Sequence, residues 1–132
     1  MKGFTQLISL LLLVVTSAVS ANNVVIENVY LSEKNGSWEA KVTLRHADNG
    51  WEHYADAWRI MDSNDNLIAT RVLYHPHDNE QPFTRSLGNI RIPDGMTNIY
   101  VEAHDKVHGW NTQRVNIDLT RSSGPNYSIR RQ

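Results

Sequence analysis

Apolar residues in this chain recur at every second position over short runs, and no run of helical period is long enough to compete with that pattern. A two-residue period sends alternate side chains to opposite faces of a strand, so a chain written this way can fold as sheets that share a core. The runs are Val24 to Leu31, Trp38 to Arg45, Tyr54 to Met61, Leu67 to Tyr74, Phe83 to Ile92, Asn98 to Ala103 and Thr112 to Leu119. Within them Val42 and Leu44, Trp58 and Ile60, Ile99, Val101 and Ala103, and Val115, Ile117 and Leu119 keep one parity. Seven strands predict a single all-β domain, a seven-stranded immunoglobulin/fibronectin-like antiparallel β-sandwich, with Trp58 as its main core aromatic. Gly88-Asn89 interrupts the fifth run and predicts a bulge.

The first 21 residues are set apart from this pattern. Lys2, the apolar run Leu7 to Val15 and the small residues ending at Ala21 have the layout of a secretory signal peptide. That run is shorter than the roughly 20 apolar residues of a membrane-spanning helix. The expected organisation is therefore a signal peptide over 1–21, a β-sandwich over 22–120 and a flexible basic tail over 121–132, with the product periplasmic or secreted and not stably inserted in a membrane. A thioether lipid anchor needs a cysteine at the cleavage point, and the chain has none.

Lys2 is the one charged residue of the leader, so the remaining 111 residues carry 12 of the 13 Lys+Arg and all 14 Asp+Glu, a formal net charge of −2. This balance gives no electrostatic reason to expect nucleic acid or an anionic membrane as partner. The lack of cysteine also excludes disulfides, thiolate zinc sites and blue-copper centres.

If successive strands run antiparallel, alternate connections lie at the same end. One end receives Lys34 to Ser37, Asp62 to Asn66 and Pro93 to Met96, which are ordinary turn sequences. The other receives His46 to Tyr54, His75 to Pro82 and His104 to Asn111, which together hold all six histidines. Neutral imidazole binds copper(II) and zinc, and carboxylates can complete the ligand shell. His75 and His77 flank a proline that keeps the pair extended, and with His53 and His108 they are the expected metal ligands. His46 shares the parity of Val42 and Leu44 and is expected at the edge of the core. His104 has the opposite parity to Val101 and Ala103 and is expected on the outer face. Asp56, Asp78, Glu80 and Asp105 are candidates to ligate or to orient an imidazole. Trp51 and Trp110 are the loop aromatics, able either to stack on a ligand or to cap the end of the core.

At Gly50-Trp-Glu-His-Tyr-Ala-Asp56, Arg71-Val-Leu-Tyr-His-Pro-His77, Glu80-Gln-Pro-Phe-Thr-Arg-Ser86 and Val107-His-Gly-Trp110 the chain resembles a group of small, uncharacterised exported bacterial β-sandwich proteins. The resemblance runs from about Thr43 to Leu119 and implies one exported β-domain, without implying an activity. The Gly-rich motifs of copper-zinc superoxide dismutase are absent. So are nucleophile-elbow glycines and phosphate-cradling loops, and no enzyme is expected. The expected function is an exported protein holding copper(II) or zinc for sequestration, delivery or sensing. Its alternative is a metal-free module that binds an envelope protein, a peptide or a glycan through the same loops. A purely structural loop network is the third reading.

Overall fold

The computed structural model describes residues 3, 12–13 and 23–132, so the expected signal peptide falls almost wholly outside the described residues. Ten strands follow one another: β1 (Val25–Lys34), β2 (Ser37–Arg45), β3 (Ala55–Asp62), β4 (Leu67–Val72), β5 (Phe83–Ile90), β6 (Asn98–Asp105), β7 (Gly109–Trp110), β8 (Val115–Asp118), β9 (Ser123–Gly124) and β10 (Tyr127–Arg131). One sheet has the order β5-β2-β1-β10-β9. The other has β4-β3-β6, with β7 and β8 both paired to β6. The described residues are thus all-β in two sheets, but with ten strands where the alternation predicts seven.

The two-residue period becomes a single core drawn from both sheets. Ile26, Leu31, Val42, Leu44 and Phe83 come from the first, and Trp58, Ile60, Val101, Ala103 and Ile117 from the second. Trp58 is fully buried, as its central position in the third run predicts. Lys34 and Ser37 pair across a two-residue turn in which Asn35 and Gly36 both have positive φ (54° and 77°). That turn geometry matches the twist of the flanking strands and explains the Asn-Gly sequence there. The bulge also falls where Gly88-Asn89 predicts it: Trp38 pairs with Ile90 but Ala40 with Leu87, leaving one extra residue on β5.

The C-terminal segment corrects the sequence reading. Residues 121–132 are not a free tail, because β9 and β10 form a hairpin and β10 runs parallel to β1, pairing Val29 with Tyr127 and Leu31 with Ile129. The first sheet is therefore not wholly antiparallel. Tyr127 and Ile129 are buried, Arg131 donates to the Leu119 carbonyl at 2.6 Å, and its guanidinium lies 3.3 Å from Glu33. The segment carries only two core residues among Ser, Gly, Pro, Asn and Arg, too short an alternation to be recognised. Its anchor is the unpaired edge of β1, which no local pattern records.

The seventh predicted run, Thr112 to Leu119, holds only β8, which pairs with the N-terminal part of β6; β7 pairs with the C-terminal part of β6 and falls in the predicted loop His104 to Asn111.

Candidate metal centre

The connections β2–β3, β4–β5 and β6–β7 meet at one end of the molecule, as strand direction predicts. Gly50 donates its amide to Asp78 at 3.4 Å, Lys106 donates to the Trp51 carbonyl at 3.0 Å, and the amide of His77 donates to Asp48 at 2.8 Å. Beneath these loops, imidazoles alternate with two carboxylates whose side chains are completely buried, Asp48 and Asp105.

His46 follows β2 at core parity and is buried. Its Nδ1 lies 2.5 Å from Asp48 Oδ1. An ionised carboxylate only accepts, so Nδ1 carries a proton. The other ring nitrogen, Nε2, lies 3.8 Å from Asp105 Oδ2. His53 is held by a short bridge in which Asn49 donates to its carbonyl at 2.8 Å. Its Nε2 is 3.4 Å from Asp105 Oδ1, is buried, and makes no hydrogen bond to the described residues. Among the described residues, His46, His53 and Asp105 form a group whose ligand atoms all lie within 4.8 Å of one another.

Two ligands about 2.0–2.1 Å from a tetrahedral zinc are about 3.3–3.5 Å apart. The 3.4 Å between His53 Nε2 and Asp105 Oδ1 already fits, whereas the 3.8 Å between His46 Nε2 and Asp105 Oδ2, and a spread within the group of up to 4.8 Å, require the side chains to draw together on an ion. Asp48 behind His46 is the carboxylate–histidine arrangement that fixes an imidazole for ligation. His108 donates from Nδ1 to both Asp105 oxygens at 3.0 and 3.1 Å, and its ring is 5.1 Å from that of His53. It therefore orients Asp105 from the solvent side.

Electrostatics favour a cation here. Burial pushes the Asp48 carboxyl up, but hydrogen bonds from His46 and from the amides of Ala55 and His77 outweigh it and hold the group below the ordinary carboxylate value. At Asp105 burial again acts upward and is outweighed by the amide and ring of His108 and the amide of Val107. Both carboxylates are thus charged at neutral pH in a site shielded from water, where a divalent ion is strongly attracted.

Among known proteins, no family model matches the chain and no solved structure matches it. A protein of Halomicrobium mukohataei named "Putative lipoprotein" is 35% identical over 104 residues, 78% of this chain. The chain spans about half the length, 51%, of that relative.

The remaining candidates distribute unevenly around the site. Of the four favoured ligands only His53 belongs to the group of three; His46 and Asp105, which the sequence ranks behind them, supply the rest. His108 acts on Asp105. His75 is exposed, and His77 is buried with its ring stacked on Phe83 at 3.9 Å, both outside the group. His104 sits half-buried on the outer face against Asp56 and 4.8 Å from the ring of Trp110, as its parity predicts. Trp110 is covered by the Arg59 guanidinium, 3.8 Å from its ring centre, and does not cap the core; Trp51 is 63% exposed and does not either. Glu80 pairs with Arg85 at 3.3 Å. Asp48 escaped the sequence reading, although its place two residues after His46 is the local signal that could have found it.

Proposed function

We propose that this is an exported metal-binding protein that holds copper(II) or zinc at His46, His53 and Asp105 for sequestration, delivery or sensing. The observation that carries the reading is the buried, unpartnered Nε2 of His53, facing a charged carboxylate beside a second imidazole. An orphan nitrogen of that kind costs free energy unless an ion or a water satisfies it. The donors are borderline or hard, and no sulfur ligand from cysteine is available, which suits zinc or copper(II). Export is supported by the leader-like first 21 residues and by the name of the Halomicrobium mukohataei relative. The order β5-β2-β1 opposite β4-β3-β6-β8 is read as an immunoglobulin/fibronectin-type arrangement extended by the β9–β10 hairpin. The role is binding rather than catalysis.

Metal content by mass spectrometry on protein isolated from its own compartment, followed by competition with a chelator, tests the reading. Retained stoichiometric metal that disappears in His46→Ala/His53→Ala is the expected result; equal affinity in wild type and variant refutes it. One observation favours a second reading, a recognition surface. Trp51, Tyr74 and Val107, at 63%, 73% and 60% exposure, lie on the three loops of this same end. Partner capture that survives chelator and is lost in Trp51→Ala would support that alternative.

A further inference from the structure

We infer that His75 and His77 form a second divalent-cation position, outside the buried group of three and separated from it by Asp48. The inference goes beyond the proposed centre because it uses none of that centre's ligands. His77 is only 4% exposed, yet among the described residues neither ring nitrogen has a hydrogen-bond partner. Its Nδ1 is 3.8 Å from Asp48 Oδ2, too far for a hydrogen bond. Two orphan nitrogens on one buried ring are a larger anomaly than the single one on His53, and no neighbouring protein group resolves it.

The ring is also held in place. The His77 amide donates to Asp48 at 2.8 Å, its carbonyl accepts from Gln81 Nε2 at 3.0 Å, and the imidazole stacks on Phe83 within 12° of parallel. A partner ligand stands beside it: the His75 ring is 4.5 Å away, centre to centre. His75 Nδ1 lies 3.1 Å from the Pro76 carbonyl, which can only accept, so Nδ1 carries the proton and Nε2 is left with its lone pair. His75 and His77 line one shallow cleft with Asp78 and Glu80. Glu80 is engaged by Arg85 and Asp78 by the Gly50 amide at 3.4 Å, and either carboxylate can turn to complete a ligand shell. One ring open to solvent and one fixed in the interior suit a position that exchanges its ion more readily than the buried centre does.

The test uses the full chain as isolated, stripped of metal and titrated with zinc alone. Native mass spectrometry counts the bound ions while nitrogen-15 spectra follow each imidazole. The expected result is about two equivalents, with the ring signals of His75 and His77 moving together on the weaker one. His75→Ala changes an exposed residue and leaves the packing intact; it should weaken that equivalent by about tenfold or more. His77→Phe preserves the stack on Phe83 and should remove it. Conversely, His46→Ala/His53→Ala should leave this position filled, so that failure of the buried centre is seen separately. One equivalent in the wild type with the His75 and His77 signals unmoved, or unchanged binding in His75→Ala, overturns the inference.

Discussion

Replacing Asp48 by asparagine tests how the proposed centre is assembled, because the substitution keeps shape and removes charge. Asp48 Oδ1 lies 2.5 Å from His46 Nδ1 and 3.0 Å from the Ala55 amide, and Oδ2 lies 2.8 Å from the His77 amide. In Asp48→Asn one oxygen becomes an amide nitrogen, a donor. If that nitrogen faces His46, Nδ1 must accept, the ring proton moves to Nε2, and the lone pair that would bind metal is lost. If it faces His77 instead, it meets an N–H and a buried hydrogen bond is broken. Loss of such an orienting carboxylate costs about 10- to 100-fold in metal affinity, equivalent to about 1.4–2.8 kcal/mol. Zinc competition against a fluorescent chelator measures this directly, and a melt of the metal-free variant separates it from any loss of fold. Affinity within a factor of about two of wild type would mean that Asp48 does not act through His46, and the carboxylate–histidine–metal assignment would fail.

Other perturbations reach different parts of the structure. A Cβ on Gly124 would collide with Cε1, Cζ and the hydroxyl of Tyr127, which is buried, so Gly124→Ala must displace a core aromatic. A loss of about 1–3 kcal/mol is expected, seen as a lower midpoint in thermal unfolding; an unchanged midpoint would show that β9 and β10 are not part of the cooperative fold. The His77 ring is held below the ordinary imidazole value by burial first, then by Arg85 and His75. The unfolded chain therefore binds this proton more readily, so stability of the metal-free protein should fall as pH drops below about 6.5 and level off under the folded value. Denaturant titrations across that window should show a smaller pH slope in His77→Phe, and an equal slope would assign the effect elsewhere. Removing Asp105 leaves the amides of Val107 and His108 without their acceptor. Asp105→Ala should cost about 2–4 kcal/mol even without metal, checked by chemical denaturation; a cost below 1 kcal/mol would mean that the β6–β7 turn does not depend on this carboxylate.

Much of the fold was legible because it rests on local alternation. The runs through Trp38, Trp58, Val101 and Ile117 have a core face that their own parity reveals, and Asn35-Gly36 and Gly88-Asn89 mark a turn and a bulge by backbone requirement alone. Strand direction then placed three loops at one end without any knowledge of distances. The β10 strand was not legible, since its two core residues acquire meaning only beside β1, about 98 positions earlier in the Val29–Tyr127 pairing.

The site followed the same division between what parity records and what contact decides. A conspicuous motif, His75-Pro-His77, drew the ligand assignment toward the loop surface. Two members of the buried group instead continue core-facing parity to the end of a strand or just past it: His46 after Val42 and Leu44, and Asp105 after Val101 and Ala103. A histidine or aspartate in that register is costly unless it is partnered, since it enters the low-dielectric edge of the core. Finding two such residues on strands of different sheets was therefore a stronger signal than the density of histidines. What parity does not supply is the third element, Asp48, which joins His46 to the loop of His77 and makes one connected network of two positions. That connection predicts coupling: an ion at the His75/His77 position draws on the same Asp48 charge that orients His46. Zinc at one position should therefore weaken zinc at the other, and this coupling should shrink in Asp48→Asn, where the shared charge is gone.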